Sequence, residues 1–194
     1  MSTEPMVPDR ASGAPTAPYP ATARAATMES PVGELALVID ASGSLLRIAF
    51  EGREDPSSTM ASADPSFAPL RRVITQLREY FAGERREFDG IALAPAGTAF
   101  QQRVWALLQR IPYGETWSYA QMADALSPKA HARPVGGANG RNPIPIIIPC
   151  HRVIGADRQL TGFGGGLLRK RWLLAHEGAE FIDHEPRDRQ LPIF

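Results

Sequence analysis

The stretch Pro143-Ile144-Pro145-Ile146-Ile147-Ile148-Pro149-Cys150-His151-Arg152-Val153-Ile154-Gly155 decides how this chain is read. Pro143, Pro145 and Pro149 bracket Ile144–Ile148 and cannot donate to a hydrogen-bond ladder. The run is therefore expected to be an extended, buried segment rather than a central strand. It delivers Cys150, the one cysteine in 194 residues, next to His151. A single cysteine excludes an internal disulfide framework and any multi-cysteine zinc site, and a reducing cytoplasm suits it. Taken alone, Cys150 reads more readily as a small inert hydrophobe. Its neighbours point the other way. His151 can take the thiol proton directly or through a water, and the isoleucine run forms a dry wall against which a thiolate–imidazolium pair is strengthened.

Downstream, Gly155 and the glycines of 162–166 give a mobile or tightly turned loop before a helix expected over about 167–177, with Leu168, Trp172 and Leu173 buried and Gly178 as its stop. Glu177 stands at the C-terminal end of that helix, where the dipole disfavours a carboxylate by about 0.3–1 kcal/mol. A charge set against its local field usually has a partner elsewhere. His151 is the candidate, giving a nucleophile–base–orienter arrangement, and a frayed, solvated glutamate is the alternative.

Upstream, Thr98 and Gln101 make one T-x-x-Q capping box, and Ser118 and Gln121 a second of the same kind. The first opens a helix that buries Phe100, Val104, Leu107, Leu108 and Ile111. The second opens a short helix with Met122, Ala123 and Leu126 inward, closed by Ser127-Pro128. A further short helix, Arg133 to about Gly140, follows a brief turn, so the pair reads as a helix-turn-helix. Its second helix holds Pro134, Gly136, Gly137 and Gly140, poor helix formers at about 1 kcal/mol per glycine. Such slimness suits a helix lying close to another surface, for instance in a minor groove only about 6 Å wide, with Arg133 leading. A glycine-rich surface loop with a solvated arginine is the alternative.

Further out, Ala94-Pro95-Ala96-Gly97 reads as a linker. Before it, Gly33–Ile39 and Leu45–Phe50 form a hairpin about the turn residues 40–44. Residues 51–66 read as a loop. Leu70, Val73, Ile74, Leu77, Tyr80 and Phe81 follow helical spacing up to Gly83, and Phe88–Leu93 is a possible strand. Residues 1–27, rich in Pro, Ala, Ser and Thr, are expected to be a disordered tail, and 181–194 a C-terminal tail. The expected domains are thus 28–93 and 94–180. No apolar run nears the roughly 20 residues of a membrane span. The net charge of zero hides an asymmetry: residues 94–180 carry 10 Lys+Arg against 5 Asp+Glu, and residues 1–93 carry 9 against 13. A basic half beside an acidic one suggests a polyanionic partner for the former.

Pro149-Cys150-His151-Arg152-Val153 resembles the P-C-H-R-V signature of the O6-alkylguanine-DNA alkyltransferases. Thr98–Trp105, Ser118-Tyr119, Arg133–Asn142 and Gly162–Gly178 resemble further blocks of that family, in order and spacing. The resemblance implies a ribonuclease-H-like α/β N-terminal domain followed by a mainly helical, winged-helix-like C-terminal domain. It implies irreversible, stoichiometric transfer of an alkyl group from O6 of guanine, less so O4 of thymine, in double-stranded DNA to Cys150, with no cofactor and no metal, by a monomer. By the same resemblance His151 is the base acting through a water, Glu177 orients it, and Asn142 braces the cysteine turn. Tyr119 sits beside the flipped nucleotide and Arg133 is the finger that fills the gap. The carbonyls of Cys150 and Val153 read the guanine amine, a backbone contact at Gly164 meets its oxygen, and Gly136, Gly137, Ala138, Asn139 and Arg141 lie along the DNA. Phe163 and Gly164 stand where some relatives carry hydroxyl residues, and Pro134 where a small non-proline residue is usual. Three other functions fit part of the pattern. A non-catalytic binder of alkylated DNA needs no Cys150. A helix-turn-helix regulator leaves the P-C-H-R block unexplained. A Cys–His hydrolase needs the same pair of residues.

Overall fold

The computed structural model describes residues 19–51, 60–64, 66–127 and 130–183. Most of the two expected tails, with Pro56, Pro65 and Pro128, lies outside them. The chain opens with an antiparallel sheet ordered β1 (Arg24–Met28), β2 (Leu35–Ile39), β3 (Leu45–Phe50). Residues 24–27, expected in the disordered tail, are therefore the edge strand. Ala23 and Ala25 are buried there, and the backbone of Ala25 also pairs with residues 61–63, inside the expected loop. The β2–β3 hairpin forms as expected. Asp40 closes its turn by accepting the amides of Ser42 and Ser44, both at 2.9 Å. Gly43 has φ +89°, and a Cβ there would run into the Pro69 ring, so the position requires glycine.

All five side chains of β2 are buried. Helix α1 (Ala68–Phe81) lays Leu70, Val73, Leu77 and Tyr80 on the same core. Each such side chain contributes about 1.5–3 kcal/mol on leaving water. Phe88–Leu93 is not a strand. It makes one bridge, Leu93 to Leu45, held by hydrogen bonds of 2.8 and 2.9 Å about the Leu45 backbone.

Both capping boxes are present, opening α2 (Ala99–Leu108) and α3 (Tyr119–Leu126). Between them β4 (Trp117–Ser118) pairs in parallel with β5 (Val153–Ile154). Helix α4 (Ala132–Gly140) packs on α2 and α3. Helix α5 (Leu167–His176) ends with Glu177 as its cap and Gly178 at φ +70°, the left-handed stop glycine supplies. Its buried stripe is Lys170, Leu173 and Leu174 rather than Leu168 and Trp172, which are half-buried. Residues 181–183, expected in the C-terminal tail, are held. Ile182 bridges Gln159 and Asp183 pairs with Arg171 at 2.8 Å. One apolar cluster joins β2, β3 and α1 to α2–α4 and to Ile144–Ile148, so the two halves of the chain share a core. Among the described residues no helix is long and apolar enough to cross a membrane.

Candidate active site

The segment expected to be extended is a chain of tight turns. Its prolines cannot sustain a ladder, and Asn142 supplies the missing partners. Asn142 Nδ2 donates to Ile148 O at 2.7 Å, while its Oδ1 accepts from Ile144 N at 3.0 Å. Ile148 N reaches Ile144 O at 2.9 Å, and Cys150 N reaches Ile148 O at 2.8 Å. Ile146 is forced to φ +75° in this knot. A β-branched residue there costs about 1–3 kcal/mol and persists only where its surroundings over-determine it. The knot ends in a 3-10 turn, Cys150–Arg152. Asn139 Nδ2 adds a bond to Cys150 O at 3.3 Å, so α4 also holds the cysteine backbone.

Behind the cysteine lies a buried carboxylate ringed by donors. Glu177 Oε1 meets His151 Nε2 at 2.9 Å, the Tyr80 hydroxyl at 2.8 Å and Arg152 Nη2 at 3.0 Å. Its Oε2 accepts from Arg152 Nε at 2.8 Å and Gly114 N at 3.4 Å. Burial alone would push this carboxyl's pKa up. The hydrogen bonds from His151 and Arg152, with the Arg152 charge, outweigh it and hold Glu177 well below the usual carboxylate range. Burial lowers the pKa of His151 against the pull of Glu177, so the ring is a neutral base. With Nε2–H donating to Glu177, Nδ1 carries the lone pair. It is buried and meets no hydrogen-bond partner among the described residues. Burial also pushes the Cys150 thiol up to about 11, despite Asn142 and the Lys170 charge, so at neutral pH the sulfur keeps its proton and needs a base.

Cys150 lines a cavity with Trp105, Asn142, Phe163 and Gly164, to which β3 contributes Arg47 and Phe50. Phe50 and Phe163 meet edge to face at 5.8 Å, and a Cβ on Gly165 would come within 2.7 Å of the Phe163 ring. The cavity is thus built by both halves of the chain.

The structure brings together Cys150, His151, Glu177, Asn142 and Gly164. Tyr119, half-buried, packs over Gly136, where a Cβ would lie 3.5 Å from its ring. Arg133 and Pro134 stand exposed at the start of α4, and Arg141 at its end donates to Gly137 O at 3.1 Å. Three of the expected contact residues are engaged within the protein. The side chains of Ala138 and Asn139 do not lie on the exposed surface of α4. Both are buried, on the face that packs inward, where Trp105 Nε1 donates to Ala138 O at 2.9 Å. Val153 O already accepts the Lys170 ammonium at 2.6 Å.

Sequence reasoning missed four contributors. Lys170 is fully buried, its Nζ bound to the carbonyls of Val153 and Thr161, and burial lowers its pKa to about 8. Its spacing to Leu173, Leu174 and Glu177 already placed it on their face. Arg152 was visible beside His151. Tyr80 and the β3 residues carry no local signal, because they lie about a hundred residues away in sequence.

Comparison with known proteins agrees with this architecture. Residues 23–95 match the ribonuclease-like domain of 6-O-methylguanine DNA methyltransferase, and residues 99–179 match its DNA binding domain. The chain is 50% identical over 151 residues to the methylated-DNA–protein-cysteine methyltransferase of Mycobacterium bovis, covering 78% of this chain and 90% of that one. It is 44% identical to the Haemophilus influenzae protein of the same name, over 79% and 86% of the two chains. Among solved structures, Mycobacterium tuberculosis OGT in complex with DNA superposes with a TM-score of 0.71 at 47% identity, covering 80% of this chain and 92% of that one. Fold and site define a two-domain methyltransferase that binds DNA. The chain belongs to the 6-O-methylguanine DNA methyltransferase family.

Proposed function

We propose that this protein repairs double-stranded DNA by taking the alkyl group from O6 of guanine onto Cys150, once per molecule. The observation that carries the reading is a buried thiol lining a cavity, followed in the chain by a neutral histidine whose other nitrogen is bound to an ionised, donor-saturated carboxylate. His151 Nδ1 takes the thiol proton, directly or through a water. The sulfur attacks the alkyl carbon, the carbon–O6 bond breaks, and the electron pair leaves on the guanine oxygen. The guanine anion is released as such or takes a proton. The thioether formed has no ready route back.

A stacked base hides O6, so the nucleotide must be turned out of the duplex into the cavity. We read α3 and α4 as a helix-turn-helix that approaches DNA with its slim glycine face, with Arg133 entering the stack and Tyr119 beside the turned-out nucleotide. The division of labour falls near residue 94, where the charge balance changes. A monomer in a reducing cytoplasm fits a single unpaired thiol.

The test is the intact mass of the protein before and after incubation with an O6-methylguanine duplex. The expected result is a gain of one methyl group per chain, mapped to Cys150, with repair reaching a plateau at about one base per molecule. Repair continuing well past that ratio would overturn the reading.

A further inference from the structure

The N-terminal half supplies a side chain to the relay behind the cysteine. Tyr80 lies in the last turn of α1, 97 residues before Glu177, and its hydroxyl donates to Glu177 Oε1 at 2.8 Å. That is the same oxygen that meets His151 Nε2 at 2.9 Å. The ring cannot swing away. It is fully buried, with Phe81, Phe88 and His176 ring centroids at 5.3, 5.5 and 5.1 Å and Tyr113 at 6.2 Å. Its own carbonyl accepts from His176 Nε2 at 2.7 Å, so the ends of α1 and α5 are tied at two points. A tyrosine in a purely apolar role here would leave a buried hydroxyl without a partner, at a cost a phenylalanine would avoid. Burial and the Glu177 charge keep this phenol protonated, and therefore a donor, throughout the working pH range.

We propose that Tyr80 is a positioning residue for alkyl transfer: through its hydroxyl, α1 fixes the Glu177 carboxylate at the angle that aims His151 at Cys150. The inference rests on the alkyl-transfer reading above. It gives the N-terminal domain a part in the chemistry although Tyr80 touches neither sulfur nor substrate. Glu177 is faced by Tyr80 from α1, by Tyr113 and Gly114 from the turn after α2, and by His151 and Arg152 from the cysteine turn. His151 is faced in turn by Glu177, Arg152 and Lys170. Removing the phenolic donor leaves more negative charge on Oε1. That favours the imidazolium and takes His151 out of its basic form at a higher pH.

The test compares full-length wild type, Tyr80→Phe and Phe81→Leu. Single-turnover transfer is measured from free O6-benzylguanine across pH, with duplex binding and melting temperature alongside. Tyr80→Phe is expected to slow transfer about tenfold, the scale of one lost hydrogen bond to a charged group. It should also move the acid limb of the pH profile upward, with duplex binding unchanged. Phe81→Leu disturbs the same aromatic packing but keeps the hydroxyl, and should lower the melting temperature without moving the limb. Wild-type rate and limb in Tyr80→Phe, or the same limb shift in Phe81→Leu, would overturn the positioning role. Failure of wild type itself to take up the alkyl group would instead overturn the function proposed above.

Discussion

Two arginines, Arg152 and Arg133, separate the regions on which this protein depends. Arg152 is buried and spends its guanidinium on Glu177 twice and on Ile111 O at 2.6 Å. Arg133 stands exposed at the start of a helix with three glycines. Around Arg152 the backbone is knotted, a strained isoleucine is held in place, and one carboxylate has five donors. Around Arg133 there is little side chain at all. The inner region holds its side chains through hydrogen bonds and burial, the positioning that proton transfer and in-line attack require. The outer region presents a helix thinned by Gly136, Gly137 and Gly140, the surface proposed above to meet DNA. The same residue type thus sits in opposite settings: Arg152 is consumed in holding Glu177 and the Ile111 carbonyl, and Arg133 is exposed, as its proposed insertion into the duplex requires.

Substitutions should separate the regions by what they damage. The largest effect is expected from Cys150→Ser. A hydroxyl is a far weaker nucleophile at neutral pH, so transfer should be abolished while duplex binding, proposed to rest on the outer region, persists. Methyl uptake by mass and binding by titration check both halves of that statement. Glu177→Gln should follow. It leaves the Arg152 guanidinium without its counter-charge in a buried site, costing about 3–5 kcal/mol, or roughly 6–20 °C in melting temperature for a chain of this size. Transfer should fall on duplex and on free O6-alkylguanine alike, because the relay serves both. An unchanged melting temperature would break the claim that the inner region is structural and chemical at once.

The inner region also has a pH signature. His151 and Glu177 both have pKa values below their ordinary 6.5 and 4.5 in the folded protein. The unfolded chain therefore binds more protons as the solution is acidified. The histidine contribution is complete above about pH 6.5 and is lost as pH falls below it. The glutamate contribution is lost in turn below about pH 4.5. The melting temperature should thus fall on acidification from neutral pH, first gently and then steeply. Glu177→Gln should remove the steep part.

What could be read in the sequence follows the range of the signals. Both capping boxes, the hairpin and the helix ending at Gly178 are local patterns, and all are present. The partnership of Glu177 with His151 was legible only as one of two readings: a carboxylate at a helix C-terminus is locally wrong and either finds a partner or frays into solvent, and the structure shows the partner. The shape of Pro143–Pro149 was not. Proline counts exclude a ladder but do not say which asparagine replaces it or that Ile146 must turn left-handed. That the Ala138 and Asn139 side chains face inward was not legible, because α4 has too few large residues for its buried face to show as a stripe. Tyr80, Arg47 and Phe50 enter the site through tertiary contact between the halves, which no local pattern records.

For the outer region, Arg133→Ala should leave stability within about 0.5 kcal/mol, since the side chain is exposed. If Arg133 fills the gap left by the turned-out base, as proposed, transfer from duplex should slow about ten- to a hundredfold, because turning a base out costs a few kcal/mol. Free O6-alkylguanine needs no turning out and should react at the wild-type rate. Equal loss on both substrates would move Arg133 into the inner region and dissolve the contrast.

The smallest effect is the sharpest test of why α4 is so thin. Gly136→Ala adds a Cβ about 3.5 Å from the Tyr119 ring, an ordinary contact, so the fold has room for it. Alanine is the better helix former by about 1 kcal/mol, and Gly136 lies inside the helix. A glycine kept only by chance would therefore be improved by the change, with a higher melting temperature and unaltered function. If α4 is thin because DNA must lie against it, the two readouts should part. The melting temperature should rise by roughly 2–4 °C, while affinity for duplex falls several-fold and transfer from free O6-alkylguanine stays constant. Gly137→Ala is a weaker version of the same experiment, since its added carbon would meet Arg141 at 3.3 Å and that flexible side chain can yield. A variant that is more stable and binds duplex as well as wild type would show that the glycines of α4 do not face the DNA.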